Sequence, residues 1–221
     1  MELAHIILAL ELIGTVAFAI SGITVASEGR IDIFGAVVLG VTTACGGGLM
    51  RDIILGISPP TMFVKPIYAL VATIVSLILF VLLYKLGHKE KMHRILYAQV
   101  INLFDAIGLS VFIIVGMNIA TQTVPDNPFL AIFVGVITGI GGGILRDVLC
   151  GHVPMIFVKR IYALAAIAGA LLYYGLGVIN CPQWLCLLIS IVSIVVIRLL
   201  AARLRWDLPT LPPPAGPKTS N

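Results

Sequence analysis

Long apolar runs separated by short polar stretches constrain this 221-residue chain more than any other feature of its sequence. A helix needs about 20 apolar residues to cross a bilayer core, and in lipid the backbone must satisfy its own hydrogen bonds. The chain is 60% hydrophobic and 11% charged, whereas soluble proteins have roughly 25% charged residues, so a soluble domain is excluded. We therefore predict an all-α membrane protein.

The apolar runs predict seven transmembrane helices. They cover residues 3–26, 33–57, 66–84, 95–124, 129–150 and 161–197. The last run is long enough for two passes, with a turn at Asn180-Cys181-Pro182. The first run follows Met1-Glu2 without a basic leader, and we interpret it as a retained helix.

The chain contains one three-helix unit twice. Residues 46–56 read GGGLMRDIILG and recur at 141–151 as GGGILRDVLCG, while MFVKPIYAL at 62–70 recurs at 156–164 as IFVKRIYAL. Glu11 in the first helix aligns with Asp105 in the fourth. Because three is odd, the two units enter the membrane from opposite sides, which predicts inverted repeats of the kind found in transport proteins.

These repeats predict one membrane domain over residues 1–205. Repeat one covers about 3–85, repeat two about 95–178, and a seventh helix about 183–204 stands outside them. The Pro-rich segment 206–221 is predicted to be a disordered cytoplasmic tail. Lys and Arg lie mostly in the connections that are inside if the N-terminus is outside, where the outer connections hold only Lys65. This predicts an N-terminus outside and a C-terminus in the cytoplasm.

Each repeat has three consecutive glycines in mid-membrane, at Gly46, Gly47, Gly48 and at Gly141, Gly142, Gly143. One interpretation is close approach of two helices, since small residues let backbones touch in lipid. The interpretation that we favour is a kink or unwound stretch whose freed backbone groups face a water-filled path.

Two Gly-Gly-Gly-x-x-Arg-Asp motifs in a chain of three, three and one helices resemble the prokaryotic trimeric intracellular cation (TRIC) channels. The resemblance covers about residues 1–205. It implies a homotrimer in a bacterial inner membrane, with a pore for monovalent cations, mainly K⁺, lined in each protomer by the second and fifth helices. It also implies an alternative, a secondary transporter of small solutes such as glycine. The implied partners are other copies of the chain, lipids and permeant K⁺ or Na⁺, with no cofactor, metal site or nucleic acid.

Six ionisable residues lie within the apolar runs, and such residues are expensive there and are functional candidates by default. They form two repeat-related sets: Glu11, Arg51 and Asp52, then Asp105, Arg146 and Asp147. Glu11 and Arg51 are predicted to lie at one depth, and Asp105 and Arg146 together at the other. They are either structural ion pairs or groups that set the electric field at two pore mouths.

Two further repeat-related pairs are candidates for a gate or pore mouth: Lys65 with Lys159, and Tyr68 with Tyr162. The alternative is that these side chains only anchor helix ends at the membrane interface. An enzyme is not predicted. An aspartate dyad needs two carboxylates that share a proton, whereas Asp52 and Asp147 belong to opposite halves and each follows an arginine.

Overall fold

The computed structural model describes residues 2–27, 31–86, 92–158, 161–204 and 206, and within them it contains helices and no strands. These residues form nine helices: α1 Glu2–Ala26, α2 Ile33–Ile54, α3 Thr61–Val64, α4 Ile67–Leu86, α5 Met92–Thr123, α6 Pro128–Leu149, α7 Met155–Val158, α8 Tyr162–Val178 and α9 Gln183–Leu204. The tail from residue 207 onward, for which disorder was predicted, lies outside the described residues.

Seven of these helices correspond to the seven predicted spans. Six have at least 18 residues and a mean hydropathy between 1.8 and 2.8 over their most apolar stretch. The seventh, α8, has 17 residues, which corresponds to a rise of about 25 Å. The predicted all-α membrane fold is confirmed. The two four-residue helices, α3 and α7, were not predicted, because so short a segment has no hydrophobic period to detect.

The helices α2 and α6 begin and end with the same local interactions, as expected of a duplicated unit. At their N-termini, Asp32 accepts a hydrogen bond from the Gly35 backbone N–H at 2.7 Å, and Asn127 accepts one from Leu130 at 3.0 Å. At their C-termini, Gly56 and Gly151 have φ of 69° and 70°, the left-handed conformation that closes a Schellman motif. The chain therefore turns back into the short helix in the same way in both repeats.

The two repeats meet along a pseudo-two-fold axis. Phe18 of α1 and its repeat equivalent Phe112 of α5 pack against each other, with ring centroids 5.3 Å apart. The equivalent glycines Gly47 and Gly142 also face each other across the contact of α2 with α6. Helix α9 lies outside this symmetry and packs on α5 and α8 of repeat two.

The triple glycines do not unwind their helices, so the favoured prediction of a kink or unwound stretch is wrong as to unwinding, and a kink there stays a prediction. α2 and α6 continue through residues 46–48 and 141–143. A Cβ on Gly47 would overlap the backbone carbonyl of Thr138 and lie 3.3 Å from the Gly142 nitrogen. Gly47, Gly141 and Gly142 therefore bring two backbones into direct contact, which is the other interpretation of the motif.

Candidate functional site

Each Arg-Asp pair also holds the short helix that follows it. Asp52 accepts a hydrogen bond from Arg51 Nε at 2.7 Å and one from the Thr61 backbone N–H, at the start of α3, at 2.6 Å. Asp147 accepts the equivalent bonds from Arg146 and from the first residue of α7, both at 2.8 Å. These aspartates thus have a structural role in both repeats.

In repeat two, the buried carboxylate of Asp105 is bound by two arginines. Arg146 Nη1 donates to Asp105 Oδ1 at 3.0 Å, and Arg198 Nη2, from α9, donates to Oδ2 at 3.0 Å. Arg146 also donates to the Ser21 hydroxyl. The Arg198 guanidinium lies over the Tyr162 ring, 4.1 Å from its centroid. We call the following five residues the Asp105 cluster: Asp105, Arg146, Asp147, Tyr162 and Arg198.

In repeat one, the equivalent carboxylate has no cationic partner among the residues that the structure describes. Glu11 accepts a hydrogen bond from the Tyr68 hydroxyl, and within the described residues no Lys or Arg nitrogen lies within 4.0 Å of it. Arg51 instead pairs with Asp52 at 2.7 Å and donates to the Thr61 hydroxyl at 3.3 Å. The Glu11 carboxylate therefore accepts a hydrogen bond, but no positively charged side chain of the described residues contacts it and neutralises its charge.

A cavity of about 40 Å³ lies beside Glu11. We call it the Glu11 cavity; its polar wall is formed by Glu11, Thr15, Arg51, Asp52, Thr61 and Tyr68. Phe112 of repeat two closes it toward the pseudo-two-fold axis. This volume accommodates about three water molecules, or a partly dehydrated alkali cation.

The Glu11 cavity of repeat one and the Asp105 cluster of repeat two therefore differ in net charge. Two carboxylates and one guanidinium line the Glu11 cavity, a net charge of −1, whereas two carboxylates and two guanidiniums make the Asp105 cluster neutral. In the described part of the chain, no group of three His, Cys, Asp or Glu side chains is placed to hold a metal ion. Of these two sites, the Glu11 cavity is thus the one with an excess of negative charge.

The structure corrects the predicted charge pairing in repeat one only. Asp105 and Arg146 do meet, as predicted for the second set. Glu11 and Arg51 line one cavity but form no ion pair, because Asp52 holds the arginine toward α3. The two sets were predicted to be equivalent. In both, the arginine pairs with the aspartate that follows it, but only in the second does it also bind the carboxylate of the preceding long helix.

The candidates for a gate are distributed unevenly. The ring of Tyr68 is buried beside the Glu11 cavity and that of Tyr162 is buried in the Asp105 cluster, so neither is an interfacial anchor. Lys65 is exposed after α3 and does not line the cavity. Lys159 lies outside the described residues. A gating role for any of the four stays a prediction.

Arg198 is the site residue that the sequence analysis missed. Repeat alignment could not reveal it, because α9 has no equivalent in the repeat. The available signal was its position: the apolar residues Leu199 and Leu200 follow it, so the helix continues past the charge. A charge with apolar sequence on both sides is a candidate for an intramembrane partner.

Comparisons with known proteins agree with this architecture. A family model described as "Glycine transporter" matches residues 8–84 and 102–177, one match for each repeat. The UPF0126 inner membrane protein YadS of Escherichia coli is 39% identical over 205 residues, covering 91% of this chain and 94% of YadS. A UPF0126 membrane protein of Vibrio cholerae is 35% identical, covering 91% of this chain and 81% of that protein.

Solved structures of cation channels have the same fold. The TRIC channel orthologue from Rhodobacter sphaeroides is 32% identical with a TM-score of 0.81, covering 91% of this chain and 99% of that one. A prokaryotic TRIC channel crystallised in 0.5 M KCl is 33% identical with a TM-score of 0.82, covering 93% and 100%. Since the sequence relatives, the matched repeats and the fold all agree, the chain belongs to the prokaryotic trimeric intracellular cation channel family.

Proposed function

We propose that the protein is a channel for monovalent cations, mainly K⁺, with one pore inside each protomer of a homotrimer. The observation that carries this proposal is the Glu11 carboxylate, which faces a cavity and has no cationic side chain of the described residues bound to it. A charge at this depth requires compensation. A mobile cation supplies it, and the likeness to solved TRIC cation channels supports this assignment.

We place the path along the contact of α2 with α6, between the Glu11 cavity and the Asp105 cluster. Gly47 and Gly142 are in contact at its centre, and no side chain stands between the two backbones there. Conduction then requires these helices to separate locally. Such a movement exposes backbone carbonyls, which are suitable ligands for a cation.

The alternative is a secondary transporter of small solutes, such as glycine. The description of the matching family model favours it, and inverted repeats also suit alternating access. The Glu11 cavity is less suited to this role. Its net charge of −1 favours a cation, whereas a zwitterion carries no net charge to balance it.

Single-channel recording distinguishes the two functions. We expect purified protein in a planar bilayer with KCl to give discrete current steps, because an open pore does not need a conformational cycle for each ion. A carrier limited by steps of microseconds to milliseconds passes at most about 10³ ions per millisecond. Three equal, independent current levels are expected from a trimer with a pore in each protomer. Uptake of glycine without current steps would contradict the channel.

We also propose an inner-membrane location with the N-terminus outside, supported by the loop charges and by YadS, an inner membrane protein. Cys181 precedes α9 on the predicted outer side, and Cys150 follows α6 on the predicted inner side. In intact cells, an impermeant maleimide is expected to label a variant that retains only Cys181. A variant that retains only Cys150 should react after permeabilisation. The reverse pattern would overturn the orientation.

A further inference from the structure

In repeat two, the Arg198 side chain occupies the position that corresponds to the Glu11 cavity of repeat one. Asp105 and Tyr162 are the repeat equivalents of Glu11 and Tyr68. The Arg198 guanidinium contacts both Asp105, at 3.0 Å, and the face of the Tyr162 ring, at 4.1 Å from its centroid. A carboxylate and an aromatic face together form a cation site, and here the cation belongs to the protein.

This occupant comes from the one long helix that breaks the symmetry. α9 packs on α5 and α8, and in the described part of the protomer no helix is placed in the equivalent position on α1 and α4. Consequently, no arginine of the described residues is bound to Glu11. The difference in charge between the halves therefore has a single structural origin, the side chain of Arg198.

We propose that Arg198 is a tethered counter-cation that occupies, in repeat two, the site that a mobile cation occupies beside Glu11 in repeat one. This inference rests on the proposed channel function. Arg198 thereby makes each pore electrically asymmetric, with a free cation site in one half only. It is a positioning and selectivity residue, because it sets the charge that permeant ions meet in the second half.

The contacts of Arg198 are few enough for the side chain to be displaced. One ion pair and one ring contact hold its guanidinium, and its buried Nε has no hydrogen-bond partner among the described residues. Asp105 retains Arg146 at 3.0 Å when Arg198 is absent, so the carboxylate would not be left unpaired. The Arg198 variants are therefore expected to fold.

Current–voltage measurements in symmetric KCl test the asymmetry. Arg198→Met gives the Asp105 cluster the same net charge as the Glu11 cavity. We expect the K⁺ current in the direction that is limited by repeat two to rise roughly threefold, which changes the ratio of the currents at equal positive and negative voltages, the current ratio. Arg203→Met is the matched control, since Arg203 is exposed on the same helix and is expected to leave the current ratio unchanged. Arg198→Lys, which keeps the charge, should also behave like the wild type.

A binding measurement tests the site without recording current. Arg198→Ala vacates the space of the guanidinium, so methylguanidinium at about ten times its Kd should raise the Tm of this variant by about 3 °C. The wild type should show a smaller shift, because only its Glu11 cavity is free to bind the ion, and methylurea, which has a similar shape but no charge, should stabilise neither protein. If Arg198→Met cannot be purified, Arg198→Gln, whose amide can donate to Asp105, replaces it in the current measurements.

The outcomes separate this inference from the channel function. If the wild type carries K⁺ current but the current ratio is unchanged in Arg198→Met or Arg198→Gln, the proposed role of Arg198 is overturned and the channel function is not. A methylguanidinium shift in Arg198→Ala no larger than that of the wild type would overturn the site itself. A methylguanidinium shift in a protein that carries no K⁺ current would support the site and reject the channel.

Discussion

Replacing Glu11 with glutamine is expected to lower the K⁺ conductance about fivefold or more at low salt. A cation about 4 Å from a carboxylate gains roughly 4 kcal/mol at an effective dielectric constant of 20. Loss of the hydration shell offsets much of this gain. If only about 1 kcal/mol remains, the occupancy of the Glu11 cavity still changes about fivefold. Single-channel conductance as a function of KCl concentration measures the effect.

Two variants control for changes other than charge. Glu11→Asp keeps the carboxylate, and Tyr68→Phe removes only the hydroxyl that donates to it. Both should conduct much better than Glu11→Gln. The loss in Glu11→Gln should also shrink as KCl rises, because mobile ions screen the charge and fill weaker sites. Wild-type conductance in Glu11→Gln at low salt would show that cations do not use this cavity.

Gly47→Ala is expected to lower the Tm of the purified protein by about 5–10 °C. The new methyl group would overlap the Thr138 carbonyl of α6, and relief requires two helix backbones to move apart. Overpacking typically costs about 1–3 kcal/mol, and each kcal/mol shifts the Tm of a chain of this size by about 2–4 °C. Thermal unfolding in detergent, followed by circular dichroism, measures the change.

Gly175→Ala is the matched control, because Gly175 also lies within a helix but a Cβ there would meet nothing within 4 Å. It should leave the Tm unchanged or raise it slightly, since alanine favours a helix by about 1 kcal/mol over glycine. Equal Tm values for the Gly47 and Gly175 variants would contradict the close contact of α2 with α6.

The membrane helices were predictable because each depends on local composition. About 20 apolar residues in succession have one stable arrangement in a bilayer, whatever their neighbours are. The bounds differ mainly at the ends: the second run was extended to residue 57, whereas α2 ends at Ile54 and a Schellman turn at Gly56 follows. The repeats were equally accessible, since an offset of 94 or 95 residues is visible in the letters alone.

The glycine motif shows where sequence reasoning reached its limit. Three consecutive glycines are compatible both with an unwound helix and with a close helix contact. The choice depends on what lies opposite them, and that is Gly142 and the Thr138 carbonyl, about 90 residues away from Gly47. No pattern within α2 contains this information.

The amino-acid order was sufficient for the fold class, the number of spans and the family, because hydrophobic length and duplication are properties of the chain. The charge of each half required the tertiary structure. Glu11 and Asp105 are equivalent in sequence, yet only Asp105 receives Arg198, because α9 packs against repeat two. A buried charge is neutralised only when folding brings an opposite charge from a distant segment to within a few ångströms of it. For that reason, two matching motifs produce one cavity with a net negative charge and one neutral cluster.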